Sequence, residues 1–383
     1  MVNQNIAIVG GGINGIMTAW ELLKQGHSVT LFEKGEVMKQ TSSASSKLLH
    51  GGLRYLENYE FRLVKEALKE RQWWISQAPH LAQPLKLFIP IYKTSRRPAW
   101  IYKLGLWLYD TLAGKQNIGK HQSLSAQQMH KVCPKLKTES LKKGFSFYDG
   151  QMDDYQLGLW ALDQAKKHPG LVIYEHTEVI KIDPQGNLTL ADGTTQTYDK
   201  IINIAGPWAE QLLKKSNIKP NYTLDPIRGS HILVDTGTGH CEEQSDAAIS
   251  KTIRENPCPS VAKNGFLLEI PNERRIVFVL PYQGQTLIGT TEQRQTLNDD
   301  IKPSEQEIDY LINAYNHYFT TPITKQNITQ SFAGLRPLIQ GADNPNKATR
   351  EYAIQQNQNI ITVFGGKWTT ARQLAKKIAD LVK

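Results

Sequence analysis

The chain has 383 residues, too many for one small core and suited to two packed domains. Its apolar share, 40%, is that of an ordinary globular protein, which sets aside disordered and fibrous classes. Lys and Arg number 45 against 36 Asp and Glu, and the formal charge of +9 suits anionic partners: a phosphorylated small molecule, an acidic membrane or nucleic acid.

No charged-then-apolar leader precedes Ile6, so no signal peptide is expected. Asn5 to Val9 reads as a buried strand, followed by Gly10-Gly11-Gly12-Ile13-Asn14-Gly15 and an apolar-periodic helix through Leu23. Gly26, a second strand from His27 to Phe32, and Glu33 at its end complete a βαβ unit. A G-x-G-x-x-G turn in that setting binds a dinucleotide. Gly10 permits the tight turn, Gly12 lets the backbone approach a pyrophosphate, and Gly15 lets helix and sheet pack closely. The open N–H groups at the helix start attract the phosphates. Glu33 can accept both hydroxyl hydrogen bonds of an adenosine ribose, and its charge would repel a 2′-phosphate.

The next segment decides which dinucleotide. Thr41-Ser42-Ser43-Ala44-Ser45-Ser46-Lys47-Leu48-Leu49-His50-Gly51-Gly52-Leu53-Arg54-Tyr55-Leu56-Glu57 mixes small hydroxyl residues and glycines with leucines. Such a run can lie along an extended ligand and donate hydrogen bonds to it; its leucines make it too apolar for a flexible linker. Further along, Ala99 to Leu112 is the most membrane-like stretch. Lys103 and Asp110 interrupt it, and it is well short of the ~20 residues that span a bilayer. Strands are expected at Leu171 to His176, Glu178 to Asp183, Asn187 to Ala191 and Thr197 to Ile204, with an Asp192-Gly193 hairpin turn. Others are expected at His231 to Asp235, Gly265 to Ile270, Arg275 to Leu280, Thr286 to Gly289 and Asn359 to Phe364. Pro303 and Ser304 should open a helix over Glu305 to Tyr318, and Thr369 should begin the last helix. The polar stretch Thr236 to Asn264 shows no clear period and reads as a surface insertion. The cysteines, Cys133, Cys241 and Cys258, lack C-x-x-C spacing, so no disulfide framework and no metal site is expected, and a reducing cytosol fits.

The run from Thr41 to Arg71, with HGGLRYLENYEFRLVKEALKER, resembles the signature of the FAD-dependent glycerol-3-phosphate dehydrogenases, flavoenzymes of the group that includes D-amino-acid oxidase. Segments similar to the family's recur in the same order. They are Arg97-Pro98-Ala99-Trp100 with Leu106 to Asp110, Gly206-Pro207-Trp208, Gly229-Ser230-His231, Arg275 to Pro281 and Ile288-Gly289-Thr290-Thr291. Gly334-Leu335-Arg336-Pro337-Leu338, Thr349-Arg350-Glu351-Tyr352 and Phe364-Gly365-Gly366-Lys367-Trp368-Thr369-Thr370 complete them. Larger family members continue with a helical domain after the segment matching Gly365 to Val382; this chain stops there, so the resemblance implies the catalytic segments without that domain.

The resemblance implies an α/β protein: a Rossmann-like FAD-binding domain (residues 1–80, 145–225 and 332–383) interleaved with an antiparallel-sheet substrate domain (81–144 and 226–331). FAD would contact Gly10, Gly12, Gly15, Glu33, Thr41, Ser42, Ser43, Ser45, His50, Gly51, Gly52, Val179 at the adenine, Gly206, Gly366, Lys367 and Thr369. The expected reaction moves a hydride from C2 of glycerol 3-phosphate to flavin N5, yielding dihydroxyacetone phosphate, with electrons passed to a membrane quinone. Arginine meets phosphate oxygens in paired charged hydrogen bonds, which suits Arg336 and Arg350; Arg54 and Tyr55 are expected over the flavin or near the substrate hydroxyls. His231 is the candidate base for the C2 hydroxyl, Lys367 its rival and His50 a third. Lys367, after Gly365-Gly366 and before a helix, also offers positive charge to a reduced flavin. Trp100, Leu104 and Trp107, with Lys93, Arg96, Arg97, Lys103 and Lys115 close by, suit an interfacial helix on an anionic surface. The expected location is the inner face of the cytoplasmic membrane, peripheral to it. A flavin amino-acid or hydroxy-acid oxidase and a truncated non-catalytic flavoprotein are the alternatives. Nucleic-acid binding rests on charge alone, with no recognisable module, and nothing in the pattern specifies an oligomeric state.

Overall fold

A computed structural model describes residues 3–235, 264–340 and 352–382. Arg350, Cys241, Cys258 and nearly all of the expected insertion lie outside the described residues.

Two sheets organise the chain. The first has six strands in the order Ala353–Asn357, Ile360–Phe364, Lys200–Asn203, Asn5–Val9, Ser28–Phe32, Leu171–Tyr174. All neighbours are parallel except the edge hairpin of the first two. Strands such as Asn5–Val9 are apolar on both sides because both faces of the sheet are covered. On one face lie the helices Ile13–Lys24, Asp154–Lys166 and Ala371–Val382, whose Ile16, Leu22, Leu157, Ala161, Leu374 and Ile378 form one core. On the other face lie the helix Ala209–Lys215 and a small antiparallel sheet of Val179–Ile182, Asn187–Leu190 and Thr195–Thr197.

The second sheet is larger and antiparallel, apart from one parallel pair between Asn264–Glu269 and Ala82–Tyr92. Its long strands are Ala82–Tyr92, Leu141–Met152, Leu224–Val234 and Ile328–Ile339. Helix Glu305–Tyr318 covers one side through Leu311, Ile312 and Tyr315. It starts where Ser304 and Glu307 form a reciprocal capping box, a purely local signal. Helices Phe61–Gln77 and Ala99–Ala113 cover the other side through Leu63, Val64, Tyr102, Leu106 and Tyr109. No helix among the described residues is long and apolar enough to cross a membrane.

Several elements depart from the expectation. Thr197 to Ile204, expected as one strand, is divided: Thr195–Thr197 joins the small sheet and Lys200–Asn203 the parallel one. Asp199 makes the change of sheet possible, exchanging hydrogen bonds with Asn5 through both its N–H and its carboxylate. The last helix begins at Ala371 rather than Thr369, although the Thr370 carbonyl already accepts from Leu374.

Candidate active site

The glycine turn forms one end of the site. Gly10 has φ +116°, and a Cβ on it would lie 2.6 Å from the Ile204 carbonyl. A Cβ on Gly15 would lie 1.9 Å from the Gly10 carbonyl oxygen, so the helix can approach the turn only with glycine there. Helix Ile13–Lys24 has Gly12 at its cap and no side-chain cap; the Ile13 N–H donates to Ser42 Oγ at 3.0 Å. Glu33 receives hydrogen bonds from Gly11 N at 2.8 Å and Gly35 N at 3.0 Å, one on each oxygen. Each carboxylate oxygen keeps further lone pairs for a ribose.

A cavity of about 540 Å³ runs from this end. Gly10, Gly12, Glu33, Val179, Gly206 and Trp208 line one part; Thr41, Ser42, Ser45, Ser46, His50 and Tyr55 line another. Lys34 caps the first part, its ammonium 3.6 Å from the Trp208 ring centre, and burial holds its pKa below the usual lysine value. A further wall is Gly365, Gly366, Lys367, Trp368 and Thr369. Gly366 has φ +105°, and a Cβ there would meet Asn14 Nδ2 at 2.8 Å. The two ends of the chain thus close around one space. Asn14 Oδ1 is buried on this wall with no hydrogen-bond partner among the described residues, an acceptor that a bound ligand can satisfy. An FAD fits this donor set: the helix start after Gly12 would hold its pyrophosphate, and Tyr55 and Lys367, whose ammonium is 4.1 Å from the Tyr55 ring centre, would meet its flavin.

A side cavity of about 90 Å³ opens beside it and shares His50, Tyr55, Phe278, Thr290 and Arg336 with the large one. Arg54, Arg275 and Arg336 all line it. They come from three distant segments, and each is placed by a neighbour. Arg336 Nη2 donates to Thr290 Oγ1 at 2.7 Å, and Arg275 Nη2 donates to the Glu292 carbonyl at 2.9 Å. The Glu292 carboxylate lies 3.7 Å from Arg54 and 3.9 Å from Arg336, beyond hydrogen-bond range of both. Three guanidinium groups thus share a small cavity with the Glu292 and Asp149 carboxylates, a candidate site for an anion.

His231 is placed differently from its expected role in direct reach of a substrate. It lines neither cavity and is 1% exposed. Its ring stacks on Phe332 at 5.0 Å, and Nε2 meets Ser46 Oγ at 2.9 Å. Burial first, then the positive charges of Arg336 and Lys47, hold its pKa well below the ordinary histidine value. Burial and the two cations thus disfavour the charged form of the imidazole.

Of the expected cofactor residues, Ser43 and Gly51 stand off the cavity walls. The Ser43 hydroxyl donates to the Gln40 carbonyl, and the Gly51 N–H is held by Tyr109 Oη and Asp149. Gly52 lines the side cavity rather than the large one, and Gly15 packs beneath the turn. Residues that sequence reasoning did not assign are Arg275, Glu292, Thr290, Asn14 and Ser46. Arg275 opened a segment already recognised, so its position carried a signal. Thr290 also lay in a recognised segment, whereas Glu292 carried no signal, because only the fold brings it to the arginines.

Comparison with known proteins agrees with this geometry. Residues 5–381 match the family DAO, FAD dependent oxidoreductase. The chain is 35% identical to the D-erythritol 1-phosphate dehydrogenase of Brucella abortus (strain 2308), over 97% of this chain and 72% of that protein. It is 35% identical to the glycerol-3-phosphate dehydrogenase of Pseudomonas aeruginosa, over 97% of this chain and 70% of that one. Its fold is similar to that of the Bacillus halodurans glycerol-3-phosphate dehydrogenase complexed with FAD. The TM-score there is 0.73 at 24% identity, over 99% of this chain and 64% of that chain. A glycine oxidase from Geobacillus kaustophilus also gives 0.73, at 21% identity and over 95% of its length. The expected Rossmann-like region, the antiparallel sheet and the cofactor assignment are thereby borne out: this chain belongs to the DAO family of FAD-dependent oxidoreductases.

Proposed function

We propose that the protein oxidises the secondary hydroxyl of glycerol 3-phosphate to dihydroxyacetone phosphate. The observation that carries this reading is the side cavity, where Arg54, Arg275 and Arg336 meet beside the His50 and Tyr55 wall that it shares with the large cavity. A phosphate held there leaves the adjoining carbons beside His50, Tyr55 and Lys367. Bound FAD supplies a two-electron hydride acceptor; the chain supplies the anion site, the orientation and a route for the hydroxyl proton. Oxidases for amino acids need one cation for one carboxylate, which this cluster exceeds. A four-carbon polyol phosphate is the second reading, favoured by the 35% identity to a D-erythritol 1-phosphate dehydrogenase.

Anaerobic addition of substrate tests both readings. Glycerol 3-phosphate should bleach the flavin, while glycerol and D-amino acids at equal concentration should leave it oxidised. Faster bleaching by D-erythritol 1-phosphate would select the second reading, and bleaching by a D-amino acid alone would overturn both.

The electron acceptor proposed is a membrane quinone, reached from the inner face of the cytoplasmic membrane. Helix Ala99–Ala113 supports this. Tyr102, Leu106 and Tyr109 face inward, whereas Trp100, Ile101, Leu104 and Trp107 are exposed, with Trp100 at 65% and Trp107 at 56%. Exposed Tyr59 and Phe61 add apolar surface from the segment that packs against this helix, and the exposed Lys103 on the helix itself adds charge. Aromatic rings beside cations suit the headgroup region of an anionic bilayer. The protein should float with anionic liposomes at low salt, and Trp100→Ser/Trp107→Ser should stay at the bottom of the gradient. Flotation unchanged in the double variant would remove this helix as the anchor.

A further inference from the structure

A hydroxyl group joins His231 to a residue of the cavity wall. The His231 ring lies between Phe332 and the Gly289 backbone; a Cβ on Gly289 would be 2.1 Å from its Cδ2. Nδ1 has no hydrogen-bond partner among the described residues. Nε2 has one, Ser46 Oγ at 2.9 Å, and Ser46 is on the cavity wall.

Both neighbours of Ser46 are clamped to one buried carboxylate. Asp154 Oδ2 accepts from Ser45 N at 3.1 Å and from Ser45 Oγ at 2.6 Å. Asp154 Oδ1 is 2.6 Å from Lys47 Nζ, which also donates to the Ser43 carbonyl at 2.8 Å. Lys47 sits in the left-handed region, φ +58°, a conformation this clamp maintains against its intrinsic cost. With both neighbours fixed, Ser46 is held in the cavity wall with its hydroxyl on His231 Nε2.

We infer that Ser46 is the proton relay between the substrate hydroxyl and His231, an assignment that rests on the alcohol oxidation proposed above. With bound FAD as the acceptor, the carbon–hydrogen electron pair would leave as hydride while the substrate O–H bond breaks and its proton passes to Ser46 Oγ. The proton originally on Oγ passes to His231 Nε2. The substrate gains its C=O bond, Ser46 ends as it began, and His231 holds one extra proton, released to solvent before the next turnover. The relay needs a neutral ring protonated at Nδ1, and burial with two nearby cations favours the neutral form. Of those cations, Lys47 is already opposed by Asp154. A phosphate on Arg336 opposes the other, so the ring gains basicity when substrate is in place.

The test compares Ser46→Ala, Ser46→Thr, His231→Gln and the double variant Ser46→Ala/His231→Gln as FAD-loaded proteins. Rates of anaerobic flavin bleaching by glycerol 3-phosphate should fall about 100-fold in Ser46→Ala and in His231→Gln. The double variant should fall no further, Ser46→Thr should recover most of the rate, and the half-saturating concentration should change little. A second readout needs no turnover: the ¹⁵N resonances of the His231 ring should move in Ser46→Ala and return in Ser46→Thr, with or without FAD. Should Ser46→Ala fail to retain FAD, Ser46→Cys carries the rate comparison. Unchanged bleaching in Ser46→Ala, multiplicative losses in the double variant, or an unmoved His231 resonance would each overturn the relay. No bleaching of the wild type by any polyol phosphate would instead overturn the oxidation reading, and the relay with it.

Discussion

Replacing Arg336 by alanine should raise the KM for glycerol 3-phosphate roughly 10- to 150-fold, the loss of a charged hydrogen bond worth about 1.5–3 kcal/mol. Arg336 borders both cavities, and its guanidinium is anchored on Thr290 at 2.7 Å. Weak turnover of plain glycerol, which has no phosphate to hold, should be almost unaffected. Arg275→Ala should behave in the same way, because Arg275 lines the same small cavity from the start of another segment, just before the strand Ile276–Tyr282. Steady-state kinetics on both substrates decide the matter: equal losses on glycerol and glycerol 3-phosphate would make these arginines structural.

Gly15→Ala should yield protein without FAD. The new methyl carbon would sit 1.9 Å from the Gly10 carbonyl oxygen, and because that atom is backbone, the turn or the helix must move. Either movement displaces the N–H groups at the helix start from the pyrophosphate position. Gly105→Ala is the control, since a Cβ there finds nothing nearer than Leu53 Cδ1 at 4.0 Å. FAD released by denaturing equal amounts of each protein gives the answer. A Gly15→Ala protein with a full complement of FAD would mean that the turn is not the phosphate cradle.

What the amino-acid sequence determined by itself is what short-range physics encodes. The strand Asn5–Val9 and the helix Glu305–Tyr318 have the bounds their patterns imply. The glycine turn and the Ser304 capping box work through atoms a few residues apart, so each reads directly from neighbouring letters. The Asp192-Gly193 turn joins Asn187–Leu190 to Thr195–Thr197, with Gly193 at φ +87°. Tertiary structure decided the rest. The strand Leu224–Val234 is far longer than the His231 to Asp235 expected, since its pairing with Ile328–Ile339 extends it towards the N-terminus. That register buries His231 against Phe332, and the fold joins it to Ser46 of the cavity wall, 185 residues away in sequence. The same folding gathers Arg54, Arg275 and Arg336 and divides helix Ala99–Ala113 into an inward tyrosine face and an outward tryptophan face. Whether an arginine holds a phosphate or a histidine touches a substrate depends on partners hundreds of residues away, and no local pattern of hydrophobicity or spacing contains that distance.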